Sequence, residues 1–294
     1  MTEVLKTKLN WLGDMAFNVE TEGHSFVVDA AAESGGQNKG PKPKVLLLTS
    51  LGGCVGMTLK MVLSKMNINC DNLKIVVEGD MSKEHPIIYD NIRVYLKAYG
   101  VVDEEKFKQA YQIAEKNLCP VHAMLTKASD IKTCFEFAHS QECKCGCNKE
   151  EKDFDPKSTH RVVLNWKDDL TFESITDNHE LMTDLSAEYG SKDLGPSPRG
   201  LLLAALGGCT SMDITYILKK MRQNLEKLYL EIEGEIAADN PKVITKINVN
   251  IHAFGDLKEE KVAEASSMSE NKYCGVNAMV RKASEVKYNL FVNS

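Results

Sequence analysis

The sequence predicts an α+β protein made of two copies of one domain, and three observations carry that expectation. The first is an internal repeat. Leu51-Gly52-Gly53-Cys54 returns as Leu206-Gly207-Gly208-Cys209, and Cys119 returns as Cys274, both 155 positions later. The same offset, without a gap, pairs Trp11 with Trp166, His24 with His179, Asp29 with Asp184, Pro43 with Pro198 and Pro86 with Pro241. About a third of some 127 aligned pairs are identical, and a period of that length suits a whole domain rather than a solenoid. The second observation is patterning that switches between strand-like alternation and one long apolar helix in each copy. The third is length: 294 residues accommodate two domains of ordinary size.

Taken in order, each copy opens with alternation from Leu9 to Ala30, read as a β-hairpin, with Glu22-Gly23 and Asp177-Asn178 at the turns of the two copies. A glycine-rich loop follows, SGGQNKGPKP in one and YGSKDLGPSP in the other. Pro43 and Pro198 suit the first turn of a helix running to about Met66 and Met221. Its start, VLLLTSLGGCVGM or GLLLAALGGCTSM, is apolar nearly all round and so is buried on most sides. Paired glycines inside a helix cost about 1 kcal/mol each relative to Ala, so another helix or a ligand must approach closely there. Strands are expected near Leu73–Asp80 and Ile87–Tyr99, with alternation clearest in VITKINVNIHAF, then a helix over Asp103–Lys127 and a last short strand. Hairpins and helices in this mixture give an antiparallel sheet on buried helices. The domains are placed at 1–138 and 156–294, joined by a polar, cysteine-containing linker at 139–155.

Composition narrows the function classes. The net charge of −6 argues against a nucleic-acid surface and against docking on anionic lipid. No apolar run is read as approaching the roughly 20 residues that cross a bilayer. The N-terminus lacks a continuous apolar stretch, so no secretory signal is read and a cytoplasmic location is expected. Nine cysteines, an odd number, without an export signal favour thiol chemistry or metal binding over a disulfide scaffold.

Four of the nine are organised. Each copy has one Cys in the buried helix and another 65 positions later, Cys54 with Cys119 and Cys209 with Cys274. Cys70 and Cys134 have no counterpart, since Leu225 and Asn289 stand there. A single buried Cys is readily a small hydrophobe, but two matched pairs indicate a requirement for sulfur. No Cys-x-x-Cys accompanies them, so a tetrahedral zinc site is not read. Cys143, Cys145 and Cys147, with His139, form a weak motif for a soft metal.

The order GPxP, apolar helix with LGGC, then a second Cys heading AMxxKAS resembles the OsmC/Ohr superfamily of thiol peroxidases. The second copy looks most like its YhfA-like branch, and Cys119-Pro120 resembles the Ohr and OsmC branches. The resemblance implies two central helices wrapped by antiparallel sheets. It also implies intertwined homodimers with thiols at the interface, so that this chain is an intramolecular pseudo-dimer, open to further homo-oligomerisation. Cys54 and Cys209 would be the peroxidatic thiols, attacking an organic (alkyl or lipid) hydroperoxide to give a sulfenic acid. Cys119 and Cys274 would resolve it as a disulfide, and an external dithiol such as a lipoyl group would restore the thiols. No cofactor is implied. The alternative is a non-catalytic redox sensor or apolar-ligand-binding protein using the same pocket, and a third reading is metal or persulfide handling through the linker thiols.

One departure bears on mechanism. The active peroxidases place a Glu ten residues before the peroxidatic Cys and bridge it to the thiolate with an N-terminal Arg. Here Lys44 and Arg199 stand ten residues before Cys54 and Cys209. A cation near a thiol favours thiolate, so both are read as activating groups, the alternative being that each snorkels at the helix start. Ten residues of straight helix span about 15 Å, in which case each cation serves the other copy's thiol or none.

Overall fold

The structure, a computed structural model, describes residues 3–101, 103–138, 155 and 158–293. Cys143, Cys145, Cys147 and His139 lie outside the described residues.

The first repeat begins with three strands, β1 (Val4–Gly13), β2 (Ala16–Thr21) and β3 (His24–Val28), followed by the long helix α1 (Pro43–Lys65). A hairpin of β4 (Asn72–Met81) and β5 (Tyr89–Tyr99) leads to helices α2 (Glu104–Asn117) and α3 (Pro120–Leu125) and the strand β6 (Asp130–Ala138). The second repeat supplies β7 (Thr159–Asp168), β8 (Thr171–Thr176), β9 (His179–Thr183), α4 (Pro198–Lys220), β10 (Asn224–Ile236) and β11 (Ile244–Asp256). It ends with α5 (Glu259–Met268), a π-helical turn (Ser269–Tyr273), α6 (Gly275–Val280) and β12 (Glu285–Val292).

Three expectations are corrected. The N-terminal hairpin is a three-stranded meander, because Gly13 and Asp14, both at positive φ, turn the chain once more before Glu22-Gly23 does. The helix expected over Asp103–Lys127 is two helices, broken at Leu118-Cys119 and restarted at Pro120, whose ring suits a first helical turn. The last strand of each repeat runs parallel to its neighbour, β6 beside β5 and β12 beside β11. Parallel pairing needs a long crossover, and the helices before β6 and β12 supply it.

The repeats are interleaved. One sheet runs β12-β11-β10-β1-β2-β3 and the other β6-β5-β4-β7-β8-β9, so each meander completes the sheet of the opposite repeat. At the joints Leu9 pairs with Leu230, and Leu164 with Ile75. The sequence units 1–138 and 156–294 therefore share both sheets, as a pseudo-dimer in one chain.

Helices α1 and α4 cross between the sheets. By length and composition both could span a bilayer, which corrects the reading that no apolar run is long enough, but 89% and 83% of their apolar windows are buried inside the protein. Leu46, Leu47, Leu48, Leu51, Leu59 and Leu63 on α1 are fully buried, each worth about 1.5–3 kcal/mol relative to exposure. The paired glycines admit the other repeat. A Cβ on Gly208 would lie 2.8 Å from the Pro43 ring, one on Gly53 would lie 3.0 Å from Thr183, and Gly52 and Gly207 face Leu164 and Leu9. The close approach is thus made by protein on every side.

The turn acids cap these helices across the pseudo-twofold. Glu22 accepts from the Ser197 backbone N–H at 2.7 Å, at the start of α4, and Asp177 accepts from that of Lys42 at 3.2 Å, at the start of α1. An anion at a helix N-terminus offsets unpaired N–H groups and the helix dipole, typically by about 0.3–1 kcal/mol.

Candidate functional site

The fold brings each cysteine pair together. Cys54 lies mid-way along α1, and Cys119 caps α3, where the chain restarts before Pro120. The Cys119 thiol donates to Cys54 Sγ at 2.8 Å. In the second repeat Cys209 on α4 and Cys274 at the start of α6 approach within 4.8 Å, together with a carboxylate oxygen of Asp213. Cys274 Sγ accepts from the Asn277 backbone N–H at 3.3 Å. Burial pushes the Cys119 and Cys274 thiols well above the usual thiol range, and the adjoining thiols of Cys54 and Cys209 add to the shift. The second cysteine of each pair is therefore held protonated at neutral pH.

The cations fall differently from the nearest-in-sequence expectation. Lys44 is directed to the second pair: its charge interacts with Cys209, Cys274 and Asp213. Its Cε lies 3.3 Å from the point where a Cβ on Gly275 would sit, beside Cys274. Burial lowers the Lys44 ammonium from its usual value, opposed by those three neighbours. The unbroken α1 separates Lys44 from Cys54, and the packing of α1 on α4 brings it to the other repeat's thiols. Arg199 is held differently: its Nη2 donates to Glu3 at 3.3 Å, in a cavity of about 560 Å³, while its Nη1 is buried without a hydrogen-bond partner among the described residues.

Several residues that sequence reasoning missed shape the two sites. Asp213, one turn after Cys209 on α4, accepts from Ser269 Oγ at 2.9 Å, and burial raises its carboxyl to about 7 against that bond and the Lys44 charge. The Tyr288 hydroxyl is buried near Cys274 and is pushed well above its usual range by burial. Around Cys119 stands a different set: His122 Nε2 lies 3.0 Å from Glu115, and the Tyr111 hydroxyl donates to Glu115 at 3.0 Å. A signal for Asp213 was present, since the matched position in the first repeat is Thr58. His24 meets Asp193 of the other repeat at 3.1 Å on the surface, away from the thiols.

The Cys209, Asp213 and Cys274 atoms are close enough together to reach one ion, but the Lys44 ammonium beside them sets a positive charge against a cation. The chemistry the arrangement supports is that of thiols: a nucleophile, a second thiol within reach, a neighbouring cation and a carboxyl able to exchange protons.

Comparison with known proteins identifies relatives of this chain. The family model described as OsmC-like protein matches residues 36–133 and again 190–289. Protein YhfA of Escherichia coli strain K12 is 34% identical over 128 residues, which cover 42% of this chain and 92% of that protein. Among solved structures, a hypothetical protein from Aquifex aeolicus VF5 is 29% identical, with a TM-score of 0.42, covering 45% of this chain and 95% of that one. An OsmC like protein from Mycoplasma pneumoniae is 15% identical, with a TM-score of 0.41, covering 49% of this chain and 99% of that one.

Proposed function

The chain belongs to the OsmC-like protein family, and from its paired thiols we propose that it is a thiol-dependent peroxidase-like protein acting on organic hydroperoxides. The observation that carries this reading is the approach of Cys119 Sγ to 2.8 Å from Cys54 Sγ, with Cys209 and Cys274 matched to them in the second repeat. A thiol that reacts with a hydroperoxide becomes a sulfenic acid, and a second thiol in reach converts it to a disulfide before further oxidation. The thiols held protonated, Cys119 and Cys274, suit the resolving part, which leaves Cys54 and Cys209 as nucleophiles. An external dithiol, such as a lipoyl group, would return each disulfide to two thiols. Apolar side chains around both pairs favour an alkyl or lipid hydroperoxide over hydrogen peroxide.

The test is single-turnover thiol loss on adding an alkyl hydroperoxide, compared with hydrogen peroxide, followed by digestion without reductant and mass spectrometry. Faster loss with the alkyl hydroperoxide, and links Cys54–Cys119 and Cys209–Cys274, are expected. No thiol loss, or links among Cys143, Cys145 and Cys147 alone, would refute the proposal.

A further inference from the structure

We propose that the two thiol pairs are not equivalent: Cys209–Cys274 is the pair that turns over faster, with Asp213 as its proton carrier, while Cys54–Cys119 is the more enclosed and slower pair. This deepens the peroxidase-like reading and rests on it for the reaction, though the inequality itself stands on geometry.

Three differences separate the halves. Cys54 and Cys119 are 4% and 0% exposed, whereas Cys209 is only half-buried. At the position one turn after the helix cysteine, Thr58 donates to the Cys54 carbonyl at 2.7 Å and its hydroxyl also meets the Cys119 thiol, but it brings no ionisable group there. Asp213 instead points its carboxylate at both sulfurs and is held by Ser269, where the first repeat has Ala114. The third difference is the groove beside Asp213. A groove of about 1030 Å³ passes between Trp11 and α4 and reaches Met212, Asp213 and Thr215, though neither Cys209 nor Cys274 is part of its lining. The matched groove beside Trp166 is about 460 Å³ and does not reach Thr58. Lys60, where the second repeat has Thr215, lays its ammonium 3.4 Å over the Trp166 ring and lines that smaller groove.

The steps balance as follows. The Cys209 thiol passes its proton to the Asp213 carboxylate. The thiolate attacks the terminal oxygen of the hydroperoxide; an S–O bond forms as the O–O bond breaks. The leaving alkoxide takes the proton back from Asp213, so thiol and hydroperoxide give sulfenic acid and alcohol. The Cys274 thiol then attacks the sulfenic sulfur, releasing water and leaving a disulfide for the external dithiol to reduce. A carboxyl near 7 both accepts and donates at neutral pH. The groups facing it are Lys44 from α1, Cys209 on its own helix, Ser269 from the π-helical turn and Cys274 at the start of α6. Across the groove stand Asp14 and Glu33, with Lys219 and Lys220 further along α4.

The experiment has two arms on the full chain. Iodoacetamide labelling of the reduced protein, read by mass spectrometry at each cysteine, needs no turnover: Cys209 is expected to react at least about tenfold faster than Cys54, and equal rates would overturn the inequality. With tert-butyl hydroperoxide and dithiothreitol, Cys209→Ser is expected to cost about tenfold more rate than Cys54→Ser. Asp213→Asn is expected to lower the rate about tenfold or more and to abolish an inflection near pH 7 in its pH profile. Equal losses from the two serine variants would overturn the inequality, and an Asp213→Asn profile that keeps the inflection would overturn the proton-carrier role. Unequal labelling without any peroxide consumption would refute the peroxidase reading and keep the inequality.

Discussion

Behind the Lys44 end of α1, His160 on β7 is half-buried, with Nδ1 2.7 Å from the Tyr89 hydroxyl, which also lies 3.3 Å from the Lys44 carbonyl oxygen. Burial, with the charges of Lys42 and Lys44, lowers His160 from 6.5 to about 4, against the opposing pull of Asp177. The folded state thus holds a neutral imidazole that the unfolded chain protonates below pH about 6.5. Stability from this group is fully present above pH 6.5 and is lost as pH falls through about 4. The full interval is worth about 3 kcal/mol at 1.36 kcal/mol per pH unit. Because the ring keeps some contact with solvent, about 2 kcal/mol is the expected size. The perturbation is His160→Leu, placing the residue that the first repeat carries as Leu5. The assay is urea unfolding of both proteins at about pH 7.5 and about pH 4.5. Wild type should lose about 2 kcal/mol more than the variant over that interval. Asp213, raised to about 7, acts in the opposite sense: its folded-state pKa lies above the unfolded one, so its contribution is present at low pH and falls as pH rises through 7. It is common to both proteins and cancels in the comparison. Parallel losses in the two proteins would refute the assignment of this pH dependence to His160.

Two further outcomes follow from the helix crossing. Lys44→Met should slow alkylation of Cys209 more than that of Cys54, because the Lys44 charge acts on the second pair; site-resolved mass spectrometry reads this, and an equal slowing of Cys54 would place the cation elsewhere. Gly208→Ala should destabilise by about 1–2 kcal/mol, because the new Cβ meets the rigid Pro43 ring at 2.8 Å and the strain exceeds the gain in helix propensity. Gly53→Ala, which meets Thr183 at 3.0 Å and Pro198 at 3.5 Å, should stay within about 1 kcal/mol of the parent, so denaturant midpoints that rank the two the other way would contradict the packing.

Much of this fold was legible because duplication writes the same message twice. The 155-residue offset located both copies, and the cysteines kept at both ends of a 65-residue interval pointed to the pairs that the structure brings together. Periodicity placed α1 and α4 within one residue, since Pro43 and Pro198 mark one end and Met66 and Met221 follow the other. What stayed hidden was non-local. The first meander was read as one hairpin because the Gly13-Asp14 turn interrupts the alternation for only two residues. Nothing in alternation tells β1 that its neighbour is β10, or β6 that it must lie parallel to β5. The caps at Ser197 and Lys42 were invisible for the same reason, as Glu22 and Asp177 come from the opposite repeat.

The same non-locality explains how the two sites could diverge. A symmetric homodimer of one such domain would have to carry two identical sites, because each change in a chain appears at both. Fusion removes that constraint while the interleaved sheets keep the geometry. Lys44 lies in the first repeat but faces Cys209, and its counterpart Arg199 turns to Glu3. Thr58 and Asp213 occupy one structural position, but Thr58 offers a hydroxyl to its own helix and to Cys119, whereas Asp213 places a carboxyl beside two sulfurs. Lys60 lies over the Trp166 ring in the smaller groove, whereas Thr215 lines the larger one. Each difference alone is an ordinary substitution between duplicated halves. Together they fall at the second pair, where α1 brings the charge of Lys44 and α4 the carboxyl of Asp213.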